Sequence, residues 1–157
     1  MRVPLDSEKW QSLVCEPGFT PVVSVIESWQ LSPPSPEDFG RFVEAMGCSD
    51  CVHDSYYFSL PYLLDEIDKS DDTAKDSKRS DKDDMILHLR LQKAAEQSNQ
   101  SEECQAIFES CLPRLRKLLI ARLDTMPSRY KLRSHLVDLA ACYGDPELAL
   151  EIERIDI

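Results

Sequence analysis

The chain has 157 residues, 42% of them apolar and 30% charged, with a formal net charge of −11. That suits one folded domain and excludes a wholly disordered chain. No stretch approaches the roughly 18 consecutive apolar residues of a membrane span. Asp6 and Glu8 stand where a secretory leader carries its apolar run, so a cytoplasmic location (nuclear in a eukaryote) with reduced cysteines is expected.

Charge is unevenly spread. Residues 1–84 carry 18 acidic against 8 basic side chains, and residues 85–157 carry 11 against 10. Such a division implies either internal pairing or separate faces for separate partners.

Taken in chain order, helix start signals recur. Asp6 or Ser7 can cap a first short helix reaching Val14, which Pro17-Gly18 ends. Thr20-Pro21 places a cap and an N1 proline before VVSVIESWQ. Ser35-Pro36-Glu37-Asp38 repeats the device, with two carboxylates in the first turn where the helix dipole favours them. Phe39, Phe42, Val43 and Met46 then form an i, i+3, i+4, i+7 apolar stripe that stops at Gly47. The ordering Pro-Glu-Asp-Phe-x-x-Phe-Val resembles a helix of one family of immunity proteins. The glycine-rich strands that follow in that family are absent, so it assigns no family.

A fourth helix is expected from near Ser59, with Pro61 in its first turn. Residues 69–84, KSDDTAKDSKRSDKDD, hold no apolar side chain larger than Ala74 and read as a flexible acidic loop. The loop divides a helical subregion 1–68 from a second one at 85–157. MILHLRLQKAAEQ alternates at first but is strongly helical afterwards, so one helix is expected, with a strand at 85–91 as the other reading. Ser101-Glu102-Glu103 opens CQAIFESCL, which Pro113 must break, kink or restart. Further helices are expected at 113–125, at 128–143, and from Asp145-Pro146-Glu147 onward.

LVDLAACYGDPELALEIERI resembles a turn of an α-solenoid of the tetratricopeptide or pentatricopeptide kind. The pattern occurs once, which implies antiparallel helix pairs without a repeat array. The expected fold is therefore all-α, a compact single domain of seven or eight short, mostly antiparallel helices with a solenoid-like C-terminal half.

Chemistry-bearing motifs are few. There is no phosphate-binding glycine loop, no nucleophile elbow, and only 4 glycines in all. His88 and His135 sit in leucine-rich helical patterns and read as packed or partly exposed residues without a catalytic role. Asp65, Glu66 and Asp68 lack the glycine and terminal glutamate of a calcium loop and read as a solvated helix end. Cys48-x-x-Cys51-x-His53 offers three zinc ligands but no second pair, so the cysteines are expected to pack as small apolar residues and hold no metal. Neither a catalytic residue nor a cofactor is nominated.

Arg114, Arg116, Lys117, Arg122, Arg129, Lys131 and Arg133 make a basic run with Tyr130 among them, but an isoelectric point near 4.7 opposes approach to a polyanion. The expected function is non-catalytic binding of another protein with a basic surface. The chain would be an acidic inhibitor or immunity-type binder, or an adaptor subunit, and Glu37, Asp38, Glu44, Asp65, Glu66 and Asp68 are the candidate contacts. The alternatives are a nucleic-acid-associated protein using residues 114–133, or a zinc-stabilised module using Cys48, Cys51 and His53.

Overall fold

A computed structural model describes residues 1–13, 22–47, 52–73, 80–97 and 100–121, together with Glu147 and Leu150. The described residues are all-α: α1 (Val22–Leu31), α2 (Pro36–Ala45), α3 (Asp54–Lys69), α4 (Asp81–His88), α5 (Leu91–Glu96) and α6 (Glu102–Ala121), preceded by a short 3-10 helix, Glu8–Ser12. The helices expected beyond residue 122, the count of seven or eight and the solenoid-like C-terminal half lie outside the described residues. No helix among those described is long and apolar enough to cross a membrane.

Local capping explains several of the starts. The Ser7 hydroxyl accepts from the backbone N–H of Lys9, that of Ser35 from Asp38, and that of Ser80 from Asp83. Each satisfies a donor that a helix N-terminus leaves open. The stripe residues Phe39, Phe42 and Val43 on α2 and Met46 at its C-cap are all fully buried.

Four elements differ from the sequence-based expectation. The first turn is 3-10 and ends at Ser12, because the Leu13 N–H closes back on the Trp10 carbonyl. α3 begins at Asp54, one and a half turns before Ser59, and carries Pro61 in its interior. α6 runs unbroken through Pro113. An interior proline costs a helix about 3 kcal/mol, but these two helices carry long buried faces, and tertiary packing outweighs that local cost. The single helix expected across residues 85–97 is two: α4 starts earlier, at Asp81, and ends at His88, and α5 follows after Leu89-Arg90.

The early start of α4 shortens the acidic loop. Ser80 and Asp83 are buried, three aspartates occupy the first turn, and the Lys82 N–H donates to the Asp71 carbonyl at 3.0 Å. Part of the expected solvated run is thus structured at both ends.

α3 is the central element. Tyr56, Tyr57, Leu60, Leu63 and Ile67 are fully buried, and so are Ser55 and Ser59, which leaves little of its circumference wet. It packs chiefly on α6 and also on α1 and α4, while α2 packs on α4. One continuous core therefore draws on both halves of the chain, from Val3 to Leu119. Aromatic pairs knit it. Trp29 meets Phe42 edge-on at 4.8 Å between centroids, and Tyr57 meets Phe108 at 5.8 Å.

Candidate functional site

The six expected contact residues separate into two groups. Asp65, Glu66 and Asp68 lie at the C-terminal end of α3, where Asp68 is exposed as its spacing suggested but Asp65 is half-buried and Glu66 buried. Arg2 grips Asp65 with both guanidinium nitrogens, at 2.8 and 3.2 Å. Arg114 on α6 donates to Asp65 at 2.8 Å, to Asp68, and to the Pro61 carbonyl at 3.3 Å. Burial raises the Asp65 carboxyl, but hydrogen bonds from Arg2 and Arg114 outweigh it and hold the group below the usual carboxylate range. Glu66 is only 4% exposed and pairs with Lys69 at 3.1 Å. Charge here is spent inside the molecule, joining residues 63 and 49 positions apart.

The N-terminal segment is fixed by the same corner. The Arg2 guanidinium lies 4.9 Å from the Tyr62 ring centroid, and the Tyr62 hydroxyl donates to the Val3 carbonyl at 2.7 Å. The Trp10 indole N–H donates to the Pro4 carbonyl at 2.9 Å, with its ring edge-on to Phe58 and Tyr62. This end of α3 is a structural clasp.

Glu37, Asp38 and Glu44 behave differently. All three are exposed on α2. Arg41 pairs with Glu37 at 2.6 Å and with Asp38 at 4.0 Å, both within one helix and both in water. Exposed pairs of this kind contribute only about 0–1 kcal/mol, so a competing cation displaces them at small cost. Glu44 has no ion pair among the described residues.

Between α2 and α4 runs an open groove of about 590 Å³, lined by Glu37, Gly40, Arg41, Glu44, Asp84 and His88. Gly40 sets its depth. A Cβ at that position would stand 2.8 Å from the His88 imidazole, so glycine lets α4 lay the ring flat on α2. His88, expected to be packed or partly exposed, is exposed and forms one wall of this groove. Sequence spacing carries no sign of the groove, because its two walls come from helices that begin 45 residues apart, at Pro36 and Asp81.

Of the basic run, Arg114 is taken up by Asp65 and Asp68, Lys117 is exposed, and residues from Arg122 onward lie outside the described part. Cys48 and Cys51 also lie outside it. Cys104 and Cys111 are buried on α6, where burial pushes the Cys104 thiol up to about 11 and raises that of Cys111. Such thiols are poor nucleophiles at neutral pH. Among the described residues no group of three or more His, Cys, Asp and Glu side chains is placed to hold a metal ion. Comparison of this chain with family models, with curated proteins and with solved structures finds no match in any of the three.

Proposed function

We propose that this chain works by binding another protein through the acidic α2 face and the α2/α4 groove, and that the partner presents a basic surface. One observation carries the reading. Asp65, Glu66 and Asp68 at the C-terminal end of α3 are held in internal pairs, whereas Glu37, Asp38 and Glu44 face water beside the groove. The partner's lysines or arginines would displace Arg41 from its exposed pairs and meet Glu44 directly. Apolar contacts would then set the lifetime of the complex, while the net charge of −11 sets the rate of encounter. An inhibitor or immunity-type role and an adaptor role both use this surface. The two differ in whether the partner's own activity is blocked.

The test is capture from the native cell followed by kinetics. Association should slow markedly between about 50 and 500 mM salt, as the Debye length falls from roughly 14 to 4 Å, with dissociation changing less. Charge reversal at Glu37, Asp38 and Glu44 should weaken capture, whereas reversal at exposed Glu102 and Glu109 should not. Unchanged capture by the triple variant, or recovery of nucleic acid alone, would overturn the assignment.

A further inference from the structure

The connection from α1 to α2 reads Leu31-Ser32-Pro33-Pro34-Ser35-Pro36, and covalent geometry leaves it few conformations. A proline ring locks φ at about −65°, and the residue before a proline is pushed out of the helical region toward extended backbone. Pro33 obeys both rules, and Pro33 to Ser35 form neither helix nor turn. Ser35 stands at φ −69° and ψ 159°, which is polyproline II backbone. That ψ fixes how the next ring follows, so Pro36 continues the same ridge although it is also the first residue of α2.

A polyproline II helix has about three residues per turn, which sets Pro33 and Pro36 along one edge. Pro33 is exposed, Pro36 is half-buried, and Leu31 at the end of α1 is 92% exposed. Among the described residues no hydrogen bond reaches the carbonyls of Ser32, Pro33 or Pro34. Prolines lack an N–H, so the segment cannot pair as a strand edge. What it offers is flat apolar rings beside open carbonyl acceptors. A groove of tryptophan and tyrosine takes that combination: the aromatic faces pack on the rings, while indole N–H and phenol O–H groups donate to the carbonyls.

The core holds both ends of the segment. Trp29 of α1 stacks on Phe39 of α2 at 5.9 Å between centroids and meets Phe42 edge-on at 4.8 Å, and all three are buried. A segment ordered in this way loses little conformational entropy when a partner seats it. Its charge surroundings select among grooves. Exposed Glu37 and Asp38 follow it directly, and the first cation after it, Arg41, is already paired with Glu37. A basic rim on the partner's groove complements these carboxylates, and an acidic rim repels them.

We infer that residues 31–36 are a docking segment for a domain that grips polyproline II helices in an aromatic-lined groove with a basic rim, of the WW kind. The segment runs straight into the acidic α2 face, and the two make one continuous surface for one partner. The choice of rim rests on the binding reading given above for that face. The seating of the prolines does not.

The test titrates the isotope-labelled full chain with purified WW domains of basic rim and follows backbone amides by NMR. Signals of Leu31, Ser32, Ser35 and Glu37 should move. Pro33→Ala with Pro34→Ala, which leaves the Ser35 cap and Pro36 in place, should weaken the complex by about tenfold or more. Changing the rim cations of the domain to glutamate should weaken it too, as should charge reversal at Glu37 and Asp38. A loss confined to the charge changes would overturn the docking segment and leave the α2 reading standing. A loss confined to the proline variant would support the segment and overturn the α2 reading. In the wild-type chain, signals that stay still, or that move with chain concentration alone because a second copy covers the segment, would overturn the proposal whether or not any variant folds.

Discussion

Asp65→Asn removes the one anion that stands between two guanidinium groups. Three N–H donors converge on its carboxylate, two from Arg2 and one from Arg114, at 2.8 to 3.2 Å. A charge-assisted hydrogen bond is worth about 1.5–3 kcal/mol when enclosed, but Asp65 is 31% exposed and its partners 44% and 34%. Solvent screening brings each pair toward the 0–1 kcal/mol of surface ion pairs. The asparagine keeps one acceptor oxygen and Arg114 keeps Asp68, but Arg2 loses its counter-ion. A net loss of about 1 kcal/mol follows, which for a chain of this size lowers Tm by roughly 2–4 °C. The pH dependence has a definite sign. A carboxyl held low in the folded state contributes stability that is present above its unfolded value near 3.9 and fades as pH falls through the lower folded value. Calorimetric melts of both proteins from pH 7 to pH 3 should therefore show the gap at neutral pH closing in the acid range. Identical melting at pH 7, or a gap that survives undiminished at the acid end, would refute the reasoning that the clasp is electrostatic.

Two further outcomes bear on the core and the groove. Tyr57→Phe deletes a buried hydroxyl lying 2.9 Å from the Ala94 carbonyl and 2.6 Å from Gln100 Oε1, and chemical denaturation should show a loss of about 1–2 kcal/mol from acceptors left unpaired. In the wild-type chain burial raises the phenols of Tyr57 and Tyr62, so a spectrophotometric titration should show tyrosine ionisation extending above the ordinary range, and Tyr57→Phe should remove part of that late step. Gly40→Ala trades better helix propensity, about 1 kcal/mol, against a Cβ 2.8 Å from the His88 ring. It should not stabilise the wild-type chain but should stabilise a His88→Ala background, and equal effects in both would show that the ring does not rest on α2.

How much of this the sequence carried depends on the range of the interaction. The apolar stripe of α2 and its Ser35 cap were fully legible, because both are settled within one helix and its first turn. Ser80 and Asp83 were lost inside a charged run that composition marked as loop, since a capping serine there looks like any other polar residue. Pro61 and Pro113 misled for a related reason. Their local cost is real, but α3 and α6 recover it through contacts with each other that no local window contains. The candidate site divides along the same line. Glu37, Asp38 and Glu44 were legible as an exposed helical face, whereas Arg2 and Arg114 reach Asp65 from distant segments, and only the assembled fold shows them occupying it.

Burial around the whole circumference of α3 has a consequence for how this chain can change over time. A helix with one wet face accepts substitutions with a period of about 3.6 residues. From Ser55 to Leu64 every residue of α3 is buried, including two serines and three tyrosines. A saturation library should then show an unbroken band of intolerance across SYYFSLPYLL, bounded by freedom at exposed Asp54 and Lys69. Among diverged descendants of a common ancestor, that ten-residue block would be the last to blur, and the stretch by which they could still be matched to one another.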